Sequence, residues 1–159
     1  MEIKQTELTL LNGMQTTFGT VAKPVTLVVN VASRCGLSPQ YEALEAMQKK
    51  YGDKGFTVIG MPSNSFLQEL KDSSDISEYC STTWGVTFPM TEKVKVNGKD
   101  THPLYQALKK TKDSSGKAGN VKWNFEKFLV LADGTVHRFR PTTKPDDPEI
   151  ISLIEANLK

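Results

Sequence analysis

Cys35 is the residue whose type and position point most directly to chemistry. The apolar, β-branched run at residues 26–32 predicts a strand buried on both faces, and Cys35 lies between the end of that strand and the start of a predicted helix. Open α/β sheets hold ligands and reacting groups at this edge. Helix N-terminal amides and the adjacent Arg34 both favour a thiolate over a thiol. The sequence therefore predicts a nucleophilic cysteine, and the alternative is a buried structural thiol.

Cys80 is the second of two cysteines and falls on the inner face of a short helix predicted over residues 75–82. It is too far from Cys35 in the sequence to form a CxxC motif. Two soft ligands without a suitably spaced histidine also make a poor zinc site. Cys80 is either a second redox-active thiol or a small apolar side chain of the core. We predict neither a metal ion nor a cofactor.

Trp123 and Asn124 stand side by side at the start of a predicted strand. The indole N–H and the carboxamide are hydrogen-bond donors that could steady a thiolate or a developing alkoxide. The alternative for Trp123 is an ordinary core residue. His102 and His137 are expected at the surface or rim. The sequence has no Ser-His-Asp arrangement, glycine-rich phosphate loop or HExxH motif.

The elements that position these residues can be predicted from periodicity and turn signals. They are, in chain order, strands over 7–11 and 16–21 around Asn12-Gly13, a strand over 26–32, a helix with Ser38 as N-cap and Pro39 as its first residue that is ended by Gly52 and Gly55, a strand over 56–61, a helix over 75–82, a helix opening at 102–103, strands over 125–131 and 135–139, and a helix over 148–158. A strand, helix and strand within about 35 residues make a βαβ unit with parallel strands. The order predicts an α/β three-layer sandwich with helices on both faces of one mixed sheet.

Composition excludes several classes of protein. A chain of 159 residues fits a single domain, residues 1–159, and a net charge of +2 gives no argument for nucleic acid as a partner. The longest apolar runs, such as residues 25–31, are too short to span a bilayer, and the N-terminus does not read as a signal peptide. Two cysteines do not make a secreted disulfide scaffold. We therefore expect a reduced, cytoplasmic protein that does not bind membranes.

Five sequence blocks resemble those of the glutathione peroxidase family. They are, in chain order, NVASRCGLSPQY at 30–41, GMPSNSF at 60–66, WGVTFP at 84–89, PLY at 103–105 and KWNFEKFLV at 122–130. The resemblance runs from about residue 6 to residue 158 and points to bacterial two-cysteine members of the vitamin B12-transport-operon type. It implies a thioredoxin-like fold and the reduction of hydroperoxides.

The resemblance also implies roles for individual residues. Cys35 matches the peroxidatic thiol, and Trp123 and Asn124 match two further members of the family's catalytic tetrad. The fourth member is usually a glutamine, and Ser65 stands in its place with a shorter side chain and only a hydroxyl. Gln68 could substitute for that glutamine from the following loop, which is one residue shorter than in the family.

The reaction implied by the resemblance has two thiol steps. The Cys35 thiolate attacks the distal oxygen of a hydroperoxide and becomes a sulfenic acid. Cys80 matches the resolving position and forms a disulfide with Cys35, and an external dithiol restores both thiols. In two-cysteine members this donor is usually thioredoxin rather than glutathione. A disulfide needs Cα atoms within about 7 Å, so the 75–82 helix is expected to unwind locally.

The sequence also bears on the oligomeric state and on two rival functions. Larger tetrameric relatives carry an insertion in the region of residues 109–120, and its absence here implies a monomer. The lysines of this polar loop either steer an acidic donor or simply lie in solvent. One rival function, a thiol–disulfide reductase, would need a CxxC motif, which residues 36–38 do not provide. The other, a peroxide sensor that passes oxidation to a partner protein, is not distinguished from a scavenger by the sequence.

Overall fold

The computed structural model describes residues 2–158 and contains six strands and five α-helices within that part of the chain. The first half consists of a 3-10 turn Glu2–Gln5, strands β1 (Glu7–Thr9) and β2 (Gln15–Thr17), helix α1 (Phe18–Val21), strand β3 (Val25–Val31), helix α2 (Gln40–Tyr51), a 3-10 turn Gly52–Lys54 and strand β4 (Phe56–Pro62). The second half consists of helix α3 (Ser73–Tyr79), a π-helical turn Cys80–Trp84, helix α4 (Pro103–Leu108), strands β5 (Lys127–Leu131) and β6 (Val136–Phe139), and helix α5 (Pro148–Asn157).

The central sheet has the strand order β4-β3-β5-β6. Strand β3 pairs in parallel with β4 and antiparallel with β5, and β5 pairs antiparallel with β6. Every residue of β3 and β4 is buried, as expected for apolar runs at the centre of a sheet covered on both faces. The predicted βαβ unit and mixed sheet are confirmed.

Two apolar clusters cover the two faces of this sheet. On one face, Leu27 and Val29 of β3 pack with α2 and α5. On the other face, Val28 packs with α4. Because side chains of a strand alternate between faces, one β3 sequence supplies both clusters. The predicted helix layers on both faces are therefore present.

The N-terminal hairpin differs from the prediction at its second strand. Strands β1 and β2 pair as expected, and Gly13 adopts a φ of +90° in the turn between them. The strand predicted over residues 16–21 is wrong from Phe18 onwards. The Thr20 amide donates a hydrogen bond to the Thr17 hydroxyl, and this cap starts α1 instead.

Three further boundaries differ from the prediction. Ser38 does not cap α2, because its hydroxyl donates to the carbonyls of Ala32 at 2.8 Å and Ser33 at 3.2 Å. The helix predicted over 75–82 starts earlier, at Ser73, and becomes a π-helical turn at Cys80. Strand β5 starts at residue 127 rather than 125. No helix among residues 2–158 has the length and apolar character needed to cross a membrane.

Candidate active site

Cys35 lies in the loop between β3 and α2, at the carboxyl end of the central strand. Its side chain is 5% exposed, and the Leu37 amide donates a hydrogen bond to its Sγ at 3.3 Å. Consecutive turns, including one from the Ser38 amide to the Cys35 carbonyl at 3.0 Å, lead from this residue into α2. A backbone N–H aimed at sulfur is a contact that a thiolate accepts more strongly than a thiol. The Arg34 side chain is exposed.

Asn124 and Trp123 occupy the segment before β5 and differ in burial. Asn124 is completely buried, its Nδ2 donates to Gln68 Oε1 at 3.4 Å, and its Oδ1 has no hydrogen-bond partner among the described residues. The Trp123 side chain is 37% exposed, and its ring centroid lies 5.1 Å from that of Phe66. Trp123 is therefore at the surface of the site region rather than in the core.

Asn30 of β3 holds the 123–126 segment in place. Its Nδ2 donates to the Trp123 carbonyl at 3.0 Å, and its Oδ1 accepts from the Glu126 amide at 3.0 Å. The Phe125 amide donates to the Asn30 carbonyl at 2.6 Å. The strand that leads to Cys35 thus also anchors the backbone on either side of Asn124.

Ser65 and Gln68 have different surroundings. Ser65 is exposed, and its hydroxyl is 3.0 Å from the Ser63 hydroxyl and accepts from the Val96 amide at 3.2 Å. The Gln68 carbonyl accepts from the Arg34 amide at 2.8 Å, while its side chain accepts from Asn124. Gln68, and not Ser65, is therefore the residue that joins the Cys35 loop to Asn124.

Glu69 is a buried carboxyl group that the sequence analysis missed. Its Oε1 accepts from the Ser33 amide at 3.0 Å and from the Leu70 amide at 2.8 Å, whereas its Oε2 has no partner among the described residues. Burial raises the pKa of Glu69, and the hydrogen bonds from Ser33 and Leu70 oppose this shift. A single acidic residue in a predicted loop gave no signal that it would support the Cys35 loop.

Cys80 is 2% exposed and begins the π-helical turn. Burial raises the pKa of the Cys80 thiol to about 11; the Tyr41 hydroxyl opposes the rise and the Glu69 carboxylate adds to it. Cys80 is therefore a neutral thiol near pH 7 in this conformation. Both cysteines are free and belong to one apolar cluster, the one that covers the α2 side of the sheet.

Tyr41 of α2 is the centre of an aromatic group beside Cys80. Its ring centroid lies 6.4 Å from Tyr79, 6.3 Å from Trp84, 6.5 Å from Phe88 and 5.4 Å from Phe125. The rings of Tyr79 and Trp84 come from the segment that carries Cys80, whereas Phe125 follows Asn124. Tyr41 thus packs between the two regions that hold the candidate residues.

His102 and the loop over residues 109–120 make contacts that support the fold. His102 is half-buried and caps α4, since its Nδ1 accepts from the Leu104 amide at 3.1 Å. The 109–120 loop is held by Arg138, whose guanidinium donates to the carbonyls of Lys109, Thr111, Gly119 and Asn120. The loop is therefore tied to β6 at both of its ends.

Known proteins that are similar to this chain support a redox role for the cysteine site. A family model described as glutathione peroxidase matches residues 3–109. The chain is 46% identical to the thioredoxin/glutathione peroxidase BtuE of Escherichia coli, over 93% of this chain and 92% of that protein. It is 48% identical to the glutathione peroxidase-like peroxiredoxin 2 of Saccharomyces cerevisiae, over 82% and 83%. A crystal structure of Trgpx in apo form superposes with a TM-score of 0.73 at 36% identity, covering 99% of this chain and 98% of that chain.

A thioredoxin-like sheet with a buried cysteine after its central strand defines a thiol-dependent peroxidase when it is combined with these relatives. The chain belongs to the glutathione peroxidase family. Its substrate is a hydroperoxide, and its reductant is a thiol.

Proposed function

We propose that the protein reduces hydrogen peroxide and organic hydroperoxides through a Cys35 sulfenic acid that Cys80 resolves as a disulfide. Thioredoxin, or glutathione, then recycles the enzyme. We further propose that residues 1–159 act as one thioredoxin-like peroxidase domain, as a monomer in the cytoplasm. The observation that carries the proposal is the link from the Cys35 loop through Gln68 to the buried Asn124.

In the first step the Cys35 thiolate attacks the distal oxygen of the hydroperoxide. A sulfur–oxygen bond forms, the oxygen–oxygen bond breaks, and the departing oxygen takes a proton and leaves as water or an alcohol. Asn124 and Trp123 donate hydrogen bonds to the sulfur or to this oxygen. The Asn124 Nδ2 has two N–H groups, of which one donates to Gln68 Oε1, so the other is available for the sulfur or this oxygen. The buried Oδ1, which has no partner among the described residues, can accept a hydrogen bond from the peroxide O–H.

Gln68 takes the place of the family's glutamine in this proposal. Its backbone touches the Cys35 loop and its side chain touches Asn124, while the Ser65 hydroxyl is engaged with Ser63 and Val96. The amide donor then comes from position 68 rather than from position 65. Ser65 then has a structural role at the edge of the site.

In the second step Cys80 attacks the sulfenic acid. The disulfide forms, the sulfur–oxygen bond of Cys35 breaks, and the oxygen leaves as water after taking the Cys80 proton. A buried thiol with a pKa of about 11 is a poor nucleophile near pH 7, so the α3 segment and its π-helical turn rearrange before the attack. π-helical turns are uncommon and are frequent at functional sites, which supports this motion.

Two assays, one with each reductant, test which thiol recycles the enzyme. The E. coli relative carries both thioredoxin and glutathione in its name, and the yeast relative is named a peroxiredoxin. We expect peroxide-dependent NADPH consumption with thioredoxin and thioredoxin reductase to exceed that with glutathione and glutathione reductase. Turnover with neither reductant would contradict the proposed enzymatic cycle and favour a sensor. Turnover with glutathione alone would make Cys80 dispensable.

A further inference from the structure

Lys127, the first residue of β5, has a completely buried side chain that the proposed reaction does not use. Its Nζ donates to the Phe125 carbonyl at 2.6 Å and to the Pro141 carbonyl at 2.9 Å. No carboxylate forms a salt bridge with it within residues 2–158. Burying a lysine is unfavourable unless its amine has hydrogen-bond partners. The two carbonyls are such partners, and the question is what the buried amine does for them.

The Phe125 carbonyl belongs to a strained turn next to Asn124. Phe125 has a φ of +67°, in the left-handed region that residues with a side chain avoid. Such a conformation persists only where the surrounding structure holds it. Asn30 binds the amides of Phe125 and Glu126, and Lys127 binds the Phe125 carbonyl. Together these contacts fix the backbone that immediately follows Asn124.

We propose that Lys127 is a positioning residue for peroxide reduction: it clamps the left-handed turn at Phe125 and so sets the direction of the Asn124 carboxamide. The inference rests on the proposed role of Asn124. In the proposed reaction Lys127 does not touch the reacting atoms. It acts through the backbone of its neighbour.

The protonation state of Lys127 matches its two acceptors. Burial lowers the pKa of Lys127 to about 7, and the Glu126 carboxylate opposes this shift. A neutral amine has two N–H groups, one for each carbonyl, whereas an ammonium has a third without an acceptor here. The clamp therefore fits its surroundings best above pH 7.

The groups around Lys127 are mostly uncharged. Its strand partners Val29 and Phe139 are apolar, and Gln40 of α2 donates to the same Pro141 carbonyl at 3.0 Å. Glu126 is ion-paired with Arg138 and Arg140. The titratable members of the apolar cluster on the α2 side of the sheet are Cys35, Tyr41, Tyr51, Tyr79 and Cys80. Only Cys35 among these is proposed to work as an anion.

The test compares two variants that each lose a bond to Pro141. Lys127→Met removes both amine contacts, and Gln40→Met removes only the bond to the Pro141 carbonyl. We expect Lys127→Met to lower the second-order rate constant of Cys35 oxidation by hydrogen peroxide by about tenfold to a hundredfold, no more than the 10²–10³ that loss of one donor costs, because Asn124 itself remains. Gln40→Met should stay within twofold.

A second readout separates positioning from loss of structure. Alkylation of Cys35 by iodoacetamide, followed by mass spectrometry, needs the thiolate but no donor for a departing oxygen. We expect its rate to change by less than twofold in both variants. A parallel fall of oxidation and alkylation in Lys127→Met would overturn the positioning role, as would oxidation within twofold of the wild type.

An Asn124→Ala arm separates the two proposals. If Asn124→Ala lowers the oxidation rate about a hundredfold and Lys127→Met does not change it, the inference fails and the role of Asn124 stands. If Asn124→Ala stays within twofold, the role of Asn124 itself fails.

A measurement without a Lys127 substitution covers the case that Lys127→Met does not fold. In the Cys35→Ser variant, the side-chain amide signals of Asn124 are followed by NMR from about pH 6 to 9. We expect them to shift with a midpoint near the Lys127 pKa of about 7, while the carboxamide of Gln48, which accepts from the Val58 amide, stays constant. A constant Asn124 signal across this range would overturn the inference.

Discussion

The loop that carries Cys35 is joined by hydrogen bonds to neighbouring elements, whereas the segment that carries Cys80 is joined to the rest of the molecule by packing. Ser33 and Arg34 donate their amides to Glu69 and Gln68, and Ser38 returns to the end of β3. These bonds leave Cys35 little freedom. The first step of the proposed reaction accordingly finds its groups already in place, which is what electrostatic stabilisation of a transition state requires.

The segment from residue 73 to 86 is organised differently. Apart from the contact between the Cys80 thiol and the Tyr41 hydroxyl, its hydrogen bonds among the described residues run within the segment or to Asp72, as in the bond from Trp84 Nε1 to the Tyr79 hydroxyl at 3.0 Å. Its contact with α2 consists of aromatic rings around Tyr41. The segment is fixed again directly after it, where Glu45 of α2 accepts from the Thr87 amide at 2.7 Å and from the Thr87 hydroxyl.

The difference shows how one small protein would serve two proposed steps with opposite needs. Peroxide attack needs a fixed geometry, and disulfide formation needs a thiol that can travel. Apolar contacts are non-directional and can be exchanged for others, whereas a broken buried hydrogen bond leaves an unsatisfied group. A segment held by packing can therefore move at lower cost than a loop held by buried amides and a carboxylate.

The largest expected effect is that of Cys35→Ser. Without the attacking sulfur, peroxide consumption should be abolished with any donor, because Cys80 is buried and neutral near pH 7. Stopped-flow measurement of peroxide loss provides the check. Residual activity above about a few per cent of the wild type would show that Cys35 is not the nucleophile, since replacing a nucleophile normally lowers the rate by many powers of ten.

Cys80→Ser should separate the contributions of the two regions to the reaction. It does not touch the Cys35 loop, so the first turnover should proceed at the wild-type rate, measured in a single-turnover experiment. Steady-state turnover with thioredoxin should collapse by about a hundredfold or more, and Cys35 should become prone to sulfinic acid formation. Sustained thioredoxin-dependent turnover by this variant would return Cys80 to a purely structural role.

The pH dependence of disulfide formation tests whether the Cys80 segment opens before attack. In the buried position the pKa of Cys80 is raised to about 11, so attack from there would keep accelerating about tenfold per pH unit up to that value. After exposure to solvent the pKa falls towards the ordinary value of about 8.5. We expect the rate of the resolving step to level off near the lower value. A rise that continues to about pH 11 would contradict opening.

Gln68 and Ser65 give the smallest contrast, within the fixed region itself. Gln68→Ala removes the contact with Asn124 and should lower the rate of Cys35 oxidation by about tenfold, or 1.4 kcal/mol in barrier. Ser65→Ala is the matched control and should stay within twofold, and Ser65→Gln should change the rate by less than tenfold. If only Ser65→Ala lowered the rate of Cys35 oxidation, Ser65, at the family's glutamine position, would belong to the site and Gln68 would not.

The features that could be predicted from the sequence are those with a local signal. The apolar runs of β3 and β4 and the amphipathic α2 predicted the βαβ unit, and the strand-loop-helix order predicted where Cys35 would lie. Helix α1 was missed because one hydroxyl cap decides between strand and helix for a few residues.

The supporting residues carry no such signal. Glu69 and Lys127 act through bonds to residues that only the fold brings near, and burial of a carboxyl or an amine cannot be read from a short window. The choice between Ser65 and Gln68 depends on the path of a loop rather than on its composition. The same is true of the π-helical turn at Cys80.

The most direct test of whether a Cys80 segment that can move resolves a fixed Cys35 is the chemical state of the two cysteines after one equivalent of peroxide. Mass spectrometry of the treated wild type should show the loss of two hydrogens and a crosslinked Cys35–Cys80 peptide. The Cys80→Ser variant should show added oxygen on Cys35 instead. Added oxygen on Cys35 of the wild type, with Cys80 still a free thiol, would contradict the claim that a fixed Cys35 is resolved by a Cys80 segment that can move.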